Sequence, residues 1–188
     1  MLNESQRNIL LKVAHDTVEA VISGRTGKVI STDDADLNSH CGCFVTLKNH
    51  GDLRGCIGQF TSNEPLIELI ADMAKASCRH DSRFFSDPIT IDELEQLDIE
   101  ISVLSSLKKT NDPLSLRLGI DGIYIKKGFA GGCFLPQVAT ETGWSKEEFL
   151  SYCCSHKAGL PGDAWKDKKT EVYLFSAEVF GAYFKEIS

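Results

Sequence analysis

Residues 43–58 read Cys43-Phe44-Val45-Thr46-Leu47-Lys48-Asn49-His50-Gly51-Asp52-Leu53-Arg54-Gly55-Cys56-Ile57-Gly58, and they carry the strongest β signal in the chain. The first arm, Cys43 to Leu47, mixes aromatic and β-branched residues that suit a pleated surface. Lys48 to Asp52 supplies turn chemistry, and Leu53 to Gly58 returns as a second arm. An antiparallel hairpin is therefore expected. Gly55 and Gly58 weaken the returning strand, which suggests a bulge or a backbone that something approaches closely.

On the N-terminal side the hairpin is preceded by a helix. Asn3 and Gln6 have capping-box spacing, and Leu10, Val13, Ala14, Thr17, Val18 and Val21 recur at helical period up to a stop at Gly24. Arg25 to Asn38 is polar and patternless, a loop. On the C-terminal side a second helix starts near Pro65, with Ser62 or Asn63 near its cap. One stripe of it holds Leu66, Ile70, Met73 and Ser77; a second holds Ile67, Ala71, Ala74 and Cys78. It runs into an abrupt polar cluster, Arg79 to Arg83. A short acidic helix, Asp92 to Leu97, precedes Ile99 to Leu104, which alternates as a half-buried strand.

Gly122–Phe129 and Gly132–Leu135 read as hairpin arms that Pro136 ends. A further helix runs from a Ser145/Glu148 capping pair to Cys153, and Val172–Phe184 reads as a strand pair or a strand plus turn. Hairpin-linked strands with helices grouped between them indicate an α+β fold, an antiparallel sheet packed by helices. Residues 1–188 are expected to form one domain, built as two lobes that share the chain.

The chain has 20 Lys and Arg against 27 Asp and Glu, a net charge of −7, and 42% hydrophobic residues. Apolar residues are plentiful and evenly spread, which excludes intrinsic disorder. No apolar run reaches the length of a membrane span, and Met1-Leu2-Asn3-Glu4-Ser5 does not resemble a secretory leader. The acidic balance argues against sequence-independent binding to duplex nucleic acid. Seven cysteines, an odd number, fit free thiols in a reducing cytoplasm.

Arg54 and Cys56 are two apart, so an extended backbone projects both from one face. A guanidinium near a thiol favours the reactive thiolate, and Gly55 and Gly58 leave room for a substrate. The plainer alternative is a small buried cysteine, with Arg54 in a structural ion pair. Asp81 and Arg83, beside His80 and Arg79, have the chemistry to orient an anionic ligand, with His80 as a possible base. The alternative there is a helix end whose cations suit the dipole, plus an Asp81–Arg83 ion pair. His40-Cys41-Gly42-Cys43 is too sparse a pattern for tetrahedral zinc, so no metal or other cofactor is expected. No phosphate-binding glycine loop and no nucleophile-elbow serine is present.

The segment Leu53-Arg54-Gly55-Cys56-Ile57-Gly58 resembles the L-R-G-C-I-G signature of the AMMECR family. The resemblance continues at Asp81-Ser82-Arg83-Phe84, at Ile99–Leu104, at Leu135-Pro136-Gln137-Val138, at Glu141, Gly143 and Trp144, and at Lys157-Ala158-Gly159-Leu160 with Trp165. It spans nearly the whole chain. It implies a two-lobed fold with a cleft near the signature, in a stand-alone member of the AmmeMemoRadiSam type. It also implies a genomic association with a Memo-like protein and a radical S-adenosylmethionine protein. It implies no reaction. Three readings follow from residues and resemblance together. One is an enzyme for an anionic or nucleic-acid-linked substrate, with Cys56 as the reactive thiol and Arg54, Gly55, Gly58, Asp81 and Arg83 around the substrate. Another is a non-catalytic partner of the Memo-like or radical S-adenosylmethionine protein. The last is a nucleic-acid accessory module.

Overall fold

In chain order the computed structural model contains α1 (Glu4–Ile22), β1 (Cys43–Asn49), β2 (Asp52–Gln59), α2 (Leu66–Arg79), β3 (Leu97–Leu104), β4 (Lys108–Thr110), β5 (Asp121–Lys127), β6 (Ala130–Phe134), α3 (Pro136–Thr142), α4 (Lys146–Tyr152) and β7 (Glu171–Tyr183). It describes residues 2–26 and 31–187. The chain is α+β, with all strand pairs antiparallel among those assigned a register. It divides into two compact units. One is Met1–Val103 with Glu178–Ser188, and the other is Leu104–Ala177.

In the first unit the strand order is β2-β1-β3, with the C-terminal part of β7 next to β3. Val45 and Leu47 of β1 and Ile99 and Ile101 of β3 are fully buried against Leu10 and Val18 of α1 and Leu69 and Ile70 of α2. Two helices thus cover one face of the sheet, and that apolar burial is the main stabilising contribution. Phe44, Thr46 and Lys48 alternate with the core residues on β1. The Asn3–Gln6 capping box closes the first turn of α1. In the second unit β7 lies between β5 and the short β4, and β6 pairs with the other side of β5. Ile123, Ile125, Phe134, Phe149, Leu150 and Val172 form its core.

The hairpin forms as expected, with a bulge. Thr46 opposes Cys56 and Leu47 opposes Gly55, but Lys48 opposes Leu53, so Arg54 is the extra residue of β2. Several expectations differ from the structure. Pro136 does not merely end a strand; it is the first residue of α3, where a missing N–H costs nothing. The acidic stretch is a 3₁₀ helix over Ile91–Gln96. Past α4 the chain widens into a π-helical turn, Cys153–Lys157. Of the two alternatives for Val172–Phe184, the strand plus turn forms, one long strand over residues 171–183 followed by a 3₁₀ turn at Phe184–Glu186. Of the expected loop Arg25–Asn38, residues 27–30 lie outside the described residues.

Candidate functional site

Cys56 sits on β2, the edge strand of the first unit, directly opposite Thr46. An edge strand leaves backbone groups that a neighbouring strand would otherwise satisfy. At Cys56 two side chains satisfy them. The Cys56 N–H donates to Asp81 Oδ2 at 2.9 Å, and Arg83 Nη2 donates to the Cys56 carbonyl at 3.3 Å. Asp81 and Arg83 are themselves joined, Nε to Oδ1 at 2.9 Å and Nη2 to Oδ2 at 2.6 Å.

Local sequence explains this fork. α2 ends at Arg79, and Asp81 caps the following 3₁₀ turn, Ser82–Phe84, by accepting the Arg83 N–H. A short Asp side chain at such a cap folds back on its own turn. That leaves Arg83 beside it at the right reach for a bidentate pair. The Asp81 side chain is 4% exposed, whereas that of Arg83 is 55% exposed. The Arg83 hydrogen bonds hold the Asp81 carboxyl down at about 2; burial opposes this, and the Cys56 and Arg83 N–H groups assist it. Arg83 is raised above its ordinary value, chiefly by Asp81, and the nearby Cys56 sulfur contributes in the same direction. Among the described residues, Arg83 Nη1 has no protein partner.

The Cys56 side chain is half-buried, and its sulfur accepts a hydrogen bond from Thr46 Oγ1 at 3.2 Å. One residue on, the ladder is bridged from α2. Ser77 Oγ accepts the Ile57 N–H at 2.9 Å and donates to the Val45 carbonyl at 2.7 Å. Burial pushes up the thiols of Cys41, Cys43, Cys78, Cys133, Cys153 and Cys154, that of Cys78 to about 12 and that of Cys133 to about 11.

Arg54 departs from its expected place. The bulge adds a residue to β2 at this point, and bulges re-aim side chains. Its guanidinium meets Glu93 through Nε at 3.0 Å and Nη2 at 3.2 Å, and Asp87 through Nη1 at 2.7 Å. These bonds, those to Glu93 foremost, raise its pKa against the effect of burial. Burial works against the charge of Glu93, yet the Thr90 N–H, Arg54 and Asn49 together hold its carboxyl below the ordinary value. The structural ion pair is therefore the reading that fits Arg54, and Arg83 is the guanidinium held beside Cys56. Phe84 lies between the two, its ring centroid 5.9 Å from Arg54 Cζ and 5.6 Å from Arg83 Cζ.

The two glycines need the same correction. A Cβ on Gly55 would stand 2.1 Å from the Ser77 carbonyl oxygen, and one on Gly58 would stand 2.2 Å from the Phe44 ring. Both glycines admit neighbouring parts of the protein, so the space they leave is filled from within rather than kept for a substrate. His80 is exposed at the end of α2, and among the described residues no group of three or more His, Cys, Asp or Glu is placed to hold a metal ion. No helix of the described residues is long and apolar enough to cross a membrane.

Thr46, Ser77 and Glu93 were not singled out from sequence. Ser77 left a trace there, as a hydroxyl on an otherwise apolar stripe of α2. Thr46 sits in an apolar strand, where only the register with Cys56 reveals its partner. Glu93 occupies the last position of a Thr-x-x-Glu capping box, and its bond to Arg54 spans 39 residues.

Comparison with known proteins places this arrangement in context. The sequence model of the AMMECR1 family matches residues 11–180. A protein of Methanothermobacter thermautotrophicus is 38% identical over 186 residues, 95% of either chain. Protein NEQ441 of Nanoarchaeum equitans is 38% identical over 178 residues, 91% of this chain and 97% of that one. The crystal structure of the uncharacterized protein PH0010 from Pyrococcus horikoshii superposes with a TM-score of 0.82 at 35% identity, covering 95% of this chain and 92% of that chain.

Proposed function

The chain belongs to the AMMECR1 family, and on that footing we propose that it is an enzyme acting on a small anionic or nucleic-acid-linked substrate, with Cys56 as its reactive thiol. One observation carries the reading: Asp81 binds the Cys56 N–H and the Arg83 guanidinium with a single carboxylate, which ties a half-exposed cation to the residue that bears the sulfur. The Thr46 hydroxyl donates to that sulfur, and the Arg83 guanidinium reaches the carbonyl of the same residue. Arg83 anchors the anionic group of the substrate through the face it does not spend on Asp81. Thr46 orients the sulfur, and Asp81 is a positioning residue, because it acts through Arg83 and the backbone. Arg54, saturated by Glu93 and Asp87, stiffens the wall of the site and does not bind substrate.

Competitive alkylation of the full-length protein tests this. Iodoacetate carries a carboxylate and iodoacetamide does not, but both alkylate a thiolate in the same way. Cys56 is expected to react first of the seven thiols, and to prefer iodoacetate relative to a free thiol. Arg83→Gln should erase that preference, on the order of tenfold, or about 1.4 kcal/mol in the barrier. Equal reaction at all accessible thiols, or a preference that survives Arg83→Gln, overturns the proposal.

A specific observation favours a second reading, a docking surface for a Memo-like or radical S-adenosylmethionine protein. Phe85 and Ile91 are 63% and 56% exposed, beside the Asp87 and Glu93 that hold Arg54. Exposed apolar side chains next to a charged rim suit a protein partner. Phe85→Ser with Ile91→Ser should abolish co-purification with such a protein while leaving Cys56 alkylation unchanged.

A further inference from the structure

The second unit holds a cavity of about 290 Å³ that is separate in sequence and in unit from Cys56. Its polar lining converges from four places: Ser105 before β4, Lys108 on β4, Ser115 and Arg117 before β5, and Ser176 on β7. Leu174 and Phe175 supply the apolar part of the wall. We propose that this cavity binds an organic phosphate monoester, with the phosphate on Lys108, Arg117 and the Ser176 hydroxyl and the organic group on Leu174.

The cations are built into the cavity in different ways. Asp121, only 7% exposed, accepts the Arg117 backbone N–H at 2.8 Å, Nε at 2.9 Å and Nη2 at 2.8 Å. The guanidinium is thus locked in one orientation before any ligand arrives, which lowers the entropic cost of binding. Among the described residues, Arg117 Nη1 and Lys108 Nζ have no hydrogen-bond partner. Lys108 is fixed at its backbone by the pairing of β4 with Leu174 of β7. The Ser176 N–H donates to Ser105 Oγ at 2.9 Å and the Ser105 N–H to the Ser176 carbonyl at 2.9 Å, which clamps the two serines together.

Charge and donor count select the ligand. Two cations against one carboxylate leave the lining net positive in a chain whose total is −7. The Ser105 and Ser115 hydroxyls donate to the Ser106 and Asp112 carbonyls, so the donors that converge on the cavity are the Lys108 ammonium, the Arg117 Nη1 edge and the Ser176 hydroxyl, three groups that match the three terminal oxygens of a phosphate ester. The volume lies at the small end for ligand sites, and the apolar wall gives a compact organic group a surface to rest on.

The test uses phenyl phosphate as the probe, with benzoate and inorganic phosphate as comparison arms, titrated into the isotope-labelled full chain and followed by amide chemical shifts. Phenyl phosphate should give saturable shifts centred on Ser105, Lys108, Ser115 and Ser176, with weaker binding of both comparison anions. Lys108→Ala removes an exposed side chain and should leave the melting temperature unchanged while lowering affinity on the order of tenfold. The shifts at Cys56 and Arg83 should be small, which separates this site from the thiol site. No saturation, shifts centred on Arg83, or unchanged affinity in Lys108→Ala would each overturn the assignment.

Discussion

The carboxylate of Asp81 accepts the backbone N–H of Cys56 at 2.9 Å, and together with the Arg83 bond to the Cys56 carbonyl it fastens the turn after α2 to the edge of the sheet. The same carboxylate holds Arg83 in place, so the charge next to the thiol depends on the residue that satisfies the strand edge.

Replacing Asp81 should therefore cost both stability and geometry. Asp81→Asn removes the charge, retains at most one acceptor, and releases Arg83 from its bidentate grip. A loss of about 1–3 kcal/mol is expected in urea unfolding, with an unchanged m-value. The anion preference in Cys56 alkylation should fall along with it. A variant as stable as the parent would show that the fork is dispensable.

Asp81 also sets a pH dependence. Its folded carboxyl is held at about 2 against an ordinary value of 3.8. A depressed carboxylate contributes its full stability above the unfolded value and loses it as pH falls through the folded one. The contribution, about 2 kcal/mol, should be intact above pH ~4 and disappear towards pH ~2. Unfolding free energies of the parent and Asp81→Asn, measured from pH 5 down, should converge by that amount.

Gly55→Ala should be among the most damaging single-methyl additions in the first unit. Its Cβ would meet the Ser77 carbonyl at 2.1 Å, a backbone atom that cannot step aside without shifting α2 from the sheet. A loss of about 3 kcal/mol or slightly more is expected. Gly24→Ala is the control, since its Cβ meets nothing within 4 Å and only its φ of +68° is strained. A cost of about 1–2 kcal/mol is expected there. Thermal denaturation of the two variants should separate them clearly.

Two cysteines of the hairpin should answer differently to serine. Cys56→Ser keeps a group that accepts from Thr46 and lies half-exposed, so its stability should change by less than about 1 kcal/mol. Cys43 is fully buried in the core between β2 and β3, and Cys43→Ser introduces a hydroxyl there at a cost of about 1–3 kcal/mol. Equal losses at both positions would favour a packing role for Cys56.

Arg54→Ala should destabilise without disarming the thiol. It leaves Glu93, whose side chain is 21% exposed, without its main cation, for a loss of about 1–3 kcal/mol. The relative alkylation rate of Cys56 should stay within about twofold of the parent, in contrast to Arg83→Gln; a twofold change corresponds to roughly 0.4 kcal/mol.

Much of this was legible in the order of residues, because caps, turns and alternation are written within a few positions of one another. The Asn3–Gln6 box, the 43–58 hairpin with its glycine-marked bulge, and the Ser145–Glu148 cap all act over short range. The resemblance carried by residues 53–58 and 81–84 likewise rests on contiguous stretches. The partners of the charged groups were not legible in that way. Two residues apart on a strand, Arg54 looked like the companion of Cys56. A one-residue bulge and a bond to Glu93, 39 positions away, took it elsewhere. Arg83, 27 positions from Cys56, holds the place beside it because the helix between them folds back onto β2. Hydrogen bonds discriminate at tenths of an ångström, and such distances between remote segments are settled by how helices and strands pack, a property that no local run of residues encodes.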